Sequence, residues 1–378
     1  MTEEPGASGE TEVSPGSIIY LEDKKGKVKS GESIVPDVLY DQERKTLSLE
    51  KKENSIRKDS LQPDKRLERG LELARRFVNR LNKMVGISEV DPQKMEILLL
   101  SKESYGKHYK SVTGKDPGKS CGLMMDLVKP VLVEKGNYPD YILASFATHE
   151  LIHKRTETHV RAFHTESEPV GDKGLITVET TFTEERRYGL MVAKLKREGG
   201  KVVETQFTGE LLNELPNYLF QGAFIDELLT GEEGREIFKD EIEKREERLR
   251  GFSSEDYTYL IAPLKDGSGR EIRIDRPNVH FDKKGNLLIN QASFVVRQLA
   301  DDLSNLVGAV EGETFGQVLL KAKVEPKIQG KIRKAVDSKM GKGFYRRLKN
   351  AKVEDGLNLL VEVQSKLYVE KLDEVPTN

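Results

Sequence analysis

Cysteine is all but missing from this chain. The single thiol, Cys121, rules out an intramolecular disulfide, which fits a reducing compartment and leaves the fold to its apolar core. Tryptophan is absent and histidine is scarce, with six in 378 residues. Two histidines at a regular spacing therefore stand out. There is no excess of charge of one sign. Charged residues make up 33% of the chain yet leave a net charge of −2, which gives no sign of the clustered basic surplus of a nucleic-acid binder. No apolar run approaches the roughly 20 residues of a membrane span. The opening residues Met-Thr-Glu-Glu-Pro-Gly show neither the basic nor the apolar region of a signal peptide. The expectation is a soluble cytoplasmic protein with no nucleic-acid or membrane partner.

What is present is Ala147-Thr148-His149-Glu150-Leu151-Ile152-His153, the zinc-peptidase pattern H-E-x-x-H. With so few histidines a chance occurrence is expected roughly once in a hundred such chains. Residues i and i+4 share one face of a helix, one turn apart, so His149 and His153 can offer two imidazoles to one ion. A catalytic zinc takes three protein ligands and a water, and Glu150 is placed to reach that water as a general base. The surroundings fit a helix over 138–153, with Asn137 as its N-cap and Pro139 in its first turn. Ile142, Phe146, His149 and His153 form one stripe, largely apolar with few polar groups, as a buried metal site requires.

The third ligand has several candidates. His159 falls where H-E-x-x-H-x-x-G-x-x-H would place it, but Thr156 stands where that pattern needs the turn glycine. Cys121 lies upstream of the motif without the glycine-rich and Glu-Gly-Cys context of a deformylase-like site. Glu179, Glu184 and Glu185 lie on a strand-like stretch, where exposed carboxylates need no special account. Glu214 follows Asn213 on a later apolar stretch, 61 residues beyond His153. At this point the chain resembles the gluzincins, zinc peptidases with H-E-x-x-H and a glutamate on a later helix, often written Asn-Glu. The resemblance covers about residues 65–230. It implies an α+β, zincin-like fold, with a small mixed sheet, a motif helix and a glutamate helix. It also implies zinc held by His149, His153 and Glu214, with Glu150 as the catalytic base and a peptide or protein as substrate. The chain departs from the family in having Tyr218 where an acidic residue often supports a ligand histidine, and in Pro216, which suits only a first helical turn. Tyr218 and His159 are candidate oxyanion donors. A metzincin-like site using His159 and a non-catalytic interaction protein on the same scaffold are the alternatives.

The rest of the chain divides by composition. Residues 1–62 are polar, with isolated apolar pieces at 18–20 and 38–40, and read as a mostly disordered tail. Residues 63–235 form the expected catalytic domain. Leu67, Leu71, Ala74, Phe77, Leu81 and Val85 mark a helix, 95–100 and 122–133 read as strands with Pro130 at a bulge or edge, and 187–207 reads as a hairpin around Gly199-Gly200. Residues 236–378 hold a charged helical connector, hairpins at 257–275 and 279–290, and a C-terminal helical unit that could form the lower half of the catalytic domain. His280, far from the motif, reads as structural.

Overall fold

A computed structural model describes residues 17–22, 51–113, 116–118, 122–125, 128–154, 158–170, 177–198, 201–251, 257–263, 269–288 and 291–373. In chain order the elements begin with β1 (Ser17–Glu22), α1 (51–58), β2 (Ser60–Leu61), α2 (Lys65–Met84), β3 (Ile97–Leu100) and α3 (Lys102–Thr113). Next come β4 (Gly122–Met125), β5 (Val128–Glu134), α4 (Asp140–Lys154), β6 (Thr158–Val170), β7 (Thr177–Tyr188), β8 (Met191–Glu198) and β9 (Lys201–Thr208). After these run α5 (Glu210–Thr230), α6 (Glu232–Leu249), β10 (Tyr257–Pro263) and β11 (Gly269–Asp275). The last part is helical: α7 (Gln291–Val307), α8 (Phe315–Val324), α9 (Gln329–Met340), α10 (Phe344–Asn350) and α11 (Gly356–Asp373), with the short pair β12 (Ala309–Val310) and β13 (Glu313–Thr314) between α7 and α8. The fold is α+β, as expected. No described helix is long and apolar enough to cross a membrane.

The described residues fall into two compact units. The smaller is a five-stranded sheet in the order β1-β6-β7-β8-β9, with β1 parallel to β6 and β6 antiparallel to β7. Both strands of the expected 187–207 hairpin are present as β8 and β9.

The larger unit carries the motif. Its four-stranded sheet runs β2-β3-β5-β4, with β3 and β5 parallel and β2 and β4 as antiparallel edges. Leu99, Leu100, Val131, Leu132 and Val133 are essentially inaccessible to solvent, as suits strands covered on both faces. The apolar run 122–133, expected as one strand, is two. β4 turns back along β5, and their register slips between Leu123 and Met125, opposite the stretch holding Pro130. A proline lacks the N–H of a ladder bond, so the slip falls where it must. Residues 51–61 lie on the tail side of the expected boundary at 62 yet fold as α1 and β2. Ile56, fully buried, packs with Leu100, Tyr105 and Leu132, and Arg57 holds Glu96 through two bonds of 2.9 Å.

Helix α4 packs on β4 and β5 from one side and on α2 and α5 from the other, so it is buried nearly all round. Close approach to α2 depends on small residues. A Cβ at Gly70 would meet Phe238 Cζ at 2.5 Å and Ala144 Cβ at 3.4 Å. The α4 start differs from the expectation. Asn137 is not its cap but donates to Asp282 at 3.1 Å. The helix begins at Asp140, after Pro139, and its free N–H groups at Asp140 and Tyr141 are accepted by Glu241 of α6 at 2.9–3.3 Å. A carboxylate from a distant helix thus does what a local cap would do.

Helix α5 is the wall shared by two apolar clusters. Leu211, Leu212 and Leu215 join the cluster of the C-terminal helices, while Phe224, Ile225 and Leu228 join the one around α2 and α4. Pro216, expected to suit only a first turn, lies inside this helix and is buried. It cannot bond the carbonyl of Leu212, but the three buried leucines around it hold the helix regardless. The hairpin expected at 279–290 reduces to one bridge, Phe281 to Leu287, around a turn in which Asp282 accepts from Asn286.

Candidate metal centre

Two helices build the site. On α4 the i, i+4 spacing sets the rings of His149 and His153 side by side, 5.0 Å between centroids. On α5, Glu214 turns its carboxylate toward both. His149 Nε2 lies 3.2 Å from Glu214 Oε2, and His153 Nε2 lies 3.1 Å from Oε1. The three residues offer ligand atoms within 4.8 Å of one another. Tetrahedral zinc with bonds of about 2.0–2.2 Å holds neighbouring ligand atoms roughly 3.3 Å apart, so the spacing fits such an ion. Asn213, beside the glutamate, accepts from Leu190 N at 3.1 Å and ties that residue to α5.

The hydrogen bonds behind the rings decide where the protons are. Ser145 Oγ donates to Ile142 O at 2.8 Å, so it accepts from Gln221 Nε2 at 3.1 Å. Gln221 must then present its oxygen to His149 Nδ1, 3.2 Å away. Nδ1 carries the proton, and the lone pair of neutral His149 is on Nε2, facing Glu214. His153 Nε2 accepts from Asn217 Nδ2 at 2.6 Å and also faces Glu214. The His149 lone pair and the Glu214 carboxylate therefore meet at one place, which His153 Nε2 also faces, and a metal there would take over the His153 lone pair that Asn217 now engages.

Electrostatics agree. Burial pushes His153 down to about 4, with Lys323 and His149 adding to the effect against the pull of Glu214. It is therefore neutral, the form that binds metal. Burial also works against charge on Glu214, but the two histidines hold its carboxyl well below the ordinary value. His149 is raised: burial opposes the proton, and Glu214 and Glu150 outweigh it. Any proton that His149 holds on Nε2 must leave for a metal to bind there.

Glu150 follows His149 on α4 and leans on the edge strand. A Cβ at Gly122 of β4 would sit 2.5 Å from Glu150 Oε1, so only glycine lets the strand pass this close. Tyr218 sets its ring against His149, 4.4 Å between centroids. His159 lies on β6 opposite Arg187, and its side chain is outside the described residues, as are Cys121 and the side chains of Glu179 and Glu184. Glu185 on β7 lies 4.0 Å from Lys194.

Gln221 and Lys323 escaped the sequence reading. Asn217 and Gln221 follow Glu214 by three and seven residues, the spacing of one helix face, and a polar stripe on an apolar helix was the signal available. Lys323 on α8 is 3% exposed and donates to Asn217 Oδ1 at 2.6 Å. Nothing near it in sequence singles it out. Comparison with protein-family models, with curated proteins and with solved structures finds no match for this chain.

Proposed function

We propose that this chain is a zinc-dependent metallopeptidase of gluzincin type, with zinc held by His149, His153 and Glu214. The observation that carries the reading is the convergence of these three acceptors beside Glu150, in a buried place under an edge strand. When bound, zinc supplies Lewis acidity, bringing the deprotonation of water toward neutral pH and polarising a carbonyl. The chain's residues supply the rest. Glu150 accepts a proton from the attacking water and passes it to the amine nitrogen as the C–N bond breaks. Gln221 keeps the His149 lone pair on Nε2, and Ser145 keeps Gln221 in place.

A peptide is the substrate class that the surroundings favour. Strand β4 is the last of its sheet, and an extended peptide could pair along it by β-augmentation. Because Gly122 touches Glu150, a peptide so placed would bring a carbonyl to the base.

The test is elemental analysis with a cleavage screen. Wild type should carry one zinc per chain and cut members of a peptide library. Glu150→Gln should keep its zinc and lose roughly two to four orders of magnitude in rate, the usual contribution of a general base. A Glu150→Gln protein that binds zinc and cleaves at the wild-type rate would sink the role given to Glu150.

A further inference from the structure

We propose that α9, α10 and the glycine turn between them form a docking surface for double-stranded nucleic acid, held through its phosphates. The proposal stands apart from the metallopeptidase reading.

Charge is unevenly spread along the chain. Residues 329–352 hold nine Lys and Arg against one acidic residue, Asp337. The net charge of −2 averages this surplus away, so the expectation of no nucleic-acid partner does not extend to this stretch.

Local structure turns the surplus outward. Ile332 and Val336 take the buried side of α9, and Phe344, Tyr345 and Leu348 take that of α10. Arg333, Lys334, Lys342 and Arg346 are left exposed, as is Lys327 just before α9. Asp337 does not neutralise them, because its carboxylate accepts from Tyr345 N at 2.8 Å and ties α10 to α9. Gly341 and Gly343, at φ of +96° and +92°, let the chain pass from one helix to the next within three residues. Gly209 N donates to Lys349 O at 2.6 Å and fixes α10 to the start of α5. Lys331 and Arg347 are satisfied within the chain, by Glu311 and Glu362. Among the described residues no ion pair engages Lys327, Arg333, Lys334, Lys342 or Arg346.

The kind of partner follows from what the surface lacks. Its aromatic and leucine side chains are in the core, so it offers no apolar anchor. A protein partner is held at a desolvated apolar or aromatic centre. A lipid surface takes inserted apolar side chains, and an unpaired base stacks on a ring. A duplex needs none of these, since cations that displace its counterions supply the affinity. Helix α9 has 12 residues and is therefore about 18 Å long, the length of roughly five phosphates along one strand. A duplex laid on this surface meets several cations at once.

The test is fluorescence anisotropy of a short labelled DNA duplex, and of an RNA duplex of the same sequence, titrated with the full chain between about 50 and 200 mM salt. Binding should not depend on base sequence, and log K should fall against log salt with a slope of about −3 to −4. Lys334→Gln with Arg346→Gln should reduce the steepness of that slope by about two and weaken binding roughly tenfold or more at the lowest salt. Arg69→Gln with Arg76→Gln changes the net charge equally but removes cations already paired with Glu236 and Glu233, and should bind as wild type does. Equal affinity for the two duplexes assigns recognition to phosphate charge alone, and tighter binding of one assigns it to that helical form. No binding of either duplex at the lowest salt, an unchanged slope in the Lys334 and Arg346 variant, or an equal loss in the Arg69 and Arg76 variant overturns the proposal. Tighter binding of polyglutamate, or of vesicles containing phosphatidylserine, than of either duplex also overturns it and gives the surface to an acidic protein or a membrane.

Discussion

Buried histidines occur in two settings in the larger unit, and the contrast separates a candidate metal centre from packing. His280 lies beside cations. Arg297 Nη1 donates to its Nε2 at 3.4 Å, so its Nδ1 carries the ring proton toward Tyr141 Oη, 3.5 Å away. Burial, then Arg245 and Arg297, drive it well below its ordinary value. A cation has no place there. His149 lies among acceptors, with Gln221 Oε1 behind its ring and the Glu214 carboxylate in front, and His153 Nε2 faces the same carboxylate. Both settings are buried and both contain neutral imidazole, so neither burial nor a displaced pKa marks a metal site. What marks it is the sign of the groups that face the ring.

The largest effect that could break this contrast is loss of metal. Glu214→Ala removes the acceptor that both rings face, and zinc should fall from one per chain to none. His280→Gln should leave it at one. Elemental analysis of the two variants checks this, and equal zinc in both would erase the distinction. The next effect concerns Glu150. Gly122→Ala puts a methyl where the carboxylate now rests, 2.5 Å from Oε1, so Glu150 must shift. A misplacement of this size costs up to about a hundredfold in rate. Zinc content should be unchanged, and a fall in turnover without loss of zinc would show that β4 positions the base.

A good part of this site was legible in the sequence. His149 and His153 were visible because helical spacing is a local rule, and Glu214 was visible, after Asn213, through its resemblance to a known pattern. The α4 cap was not, because Glu241 reaches it from a helix a hundred residues away. Lys323 was hidden for the same reason: its role depends on α8 packing beside α5, and no local pattern encodes that contact. Pro216 misled because the rule against interior prolines is local, while the leucines that hold α5 around it are buried by tertiary packing. The packing of 51–61 was missed because a polar composition outweighed the single buried Ile56.

A smaller effect tests how the rings are held. Gln221→Met keeps the volume but removes the oxygen that accepts from His149 Nδ1. The ring is then free to carry its proton on Nε2 and turn away from the metal. Loss of such a supporting bond typically weakens metal affinity ten- to a hundredfold. Competition with a zinc chelator measures it, and an unchanged affinity would mean that packing alone orients His149.

The smallest effect belongs to His280. Its folded form stays neutral well below pH 6.5, while in the unfolded chain it takes a proton near that value. The unfolded state therefore binds more protons as pH falls, and stability drops through and below pH 6.5. Between pH 7.5 and 5.5 one such group costs about 1.4 kcal/mol. His280→Gln keeps an acceptor for Arg297 and does not titrate, so its urea-unfolding free energy should fall by that much less over the same interval. The metal-site histidines titrate alike in both proteins and cancel in the difference. Parallel pH profiles would show that His280 accepts a proton in the folded state. The cations beside it would then have to yield, and the contrast with the acceptor-lined centre would no longer rest on charge.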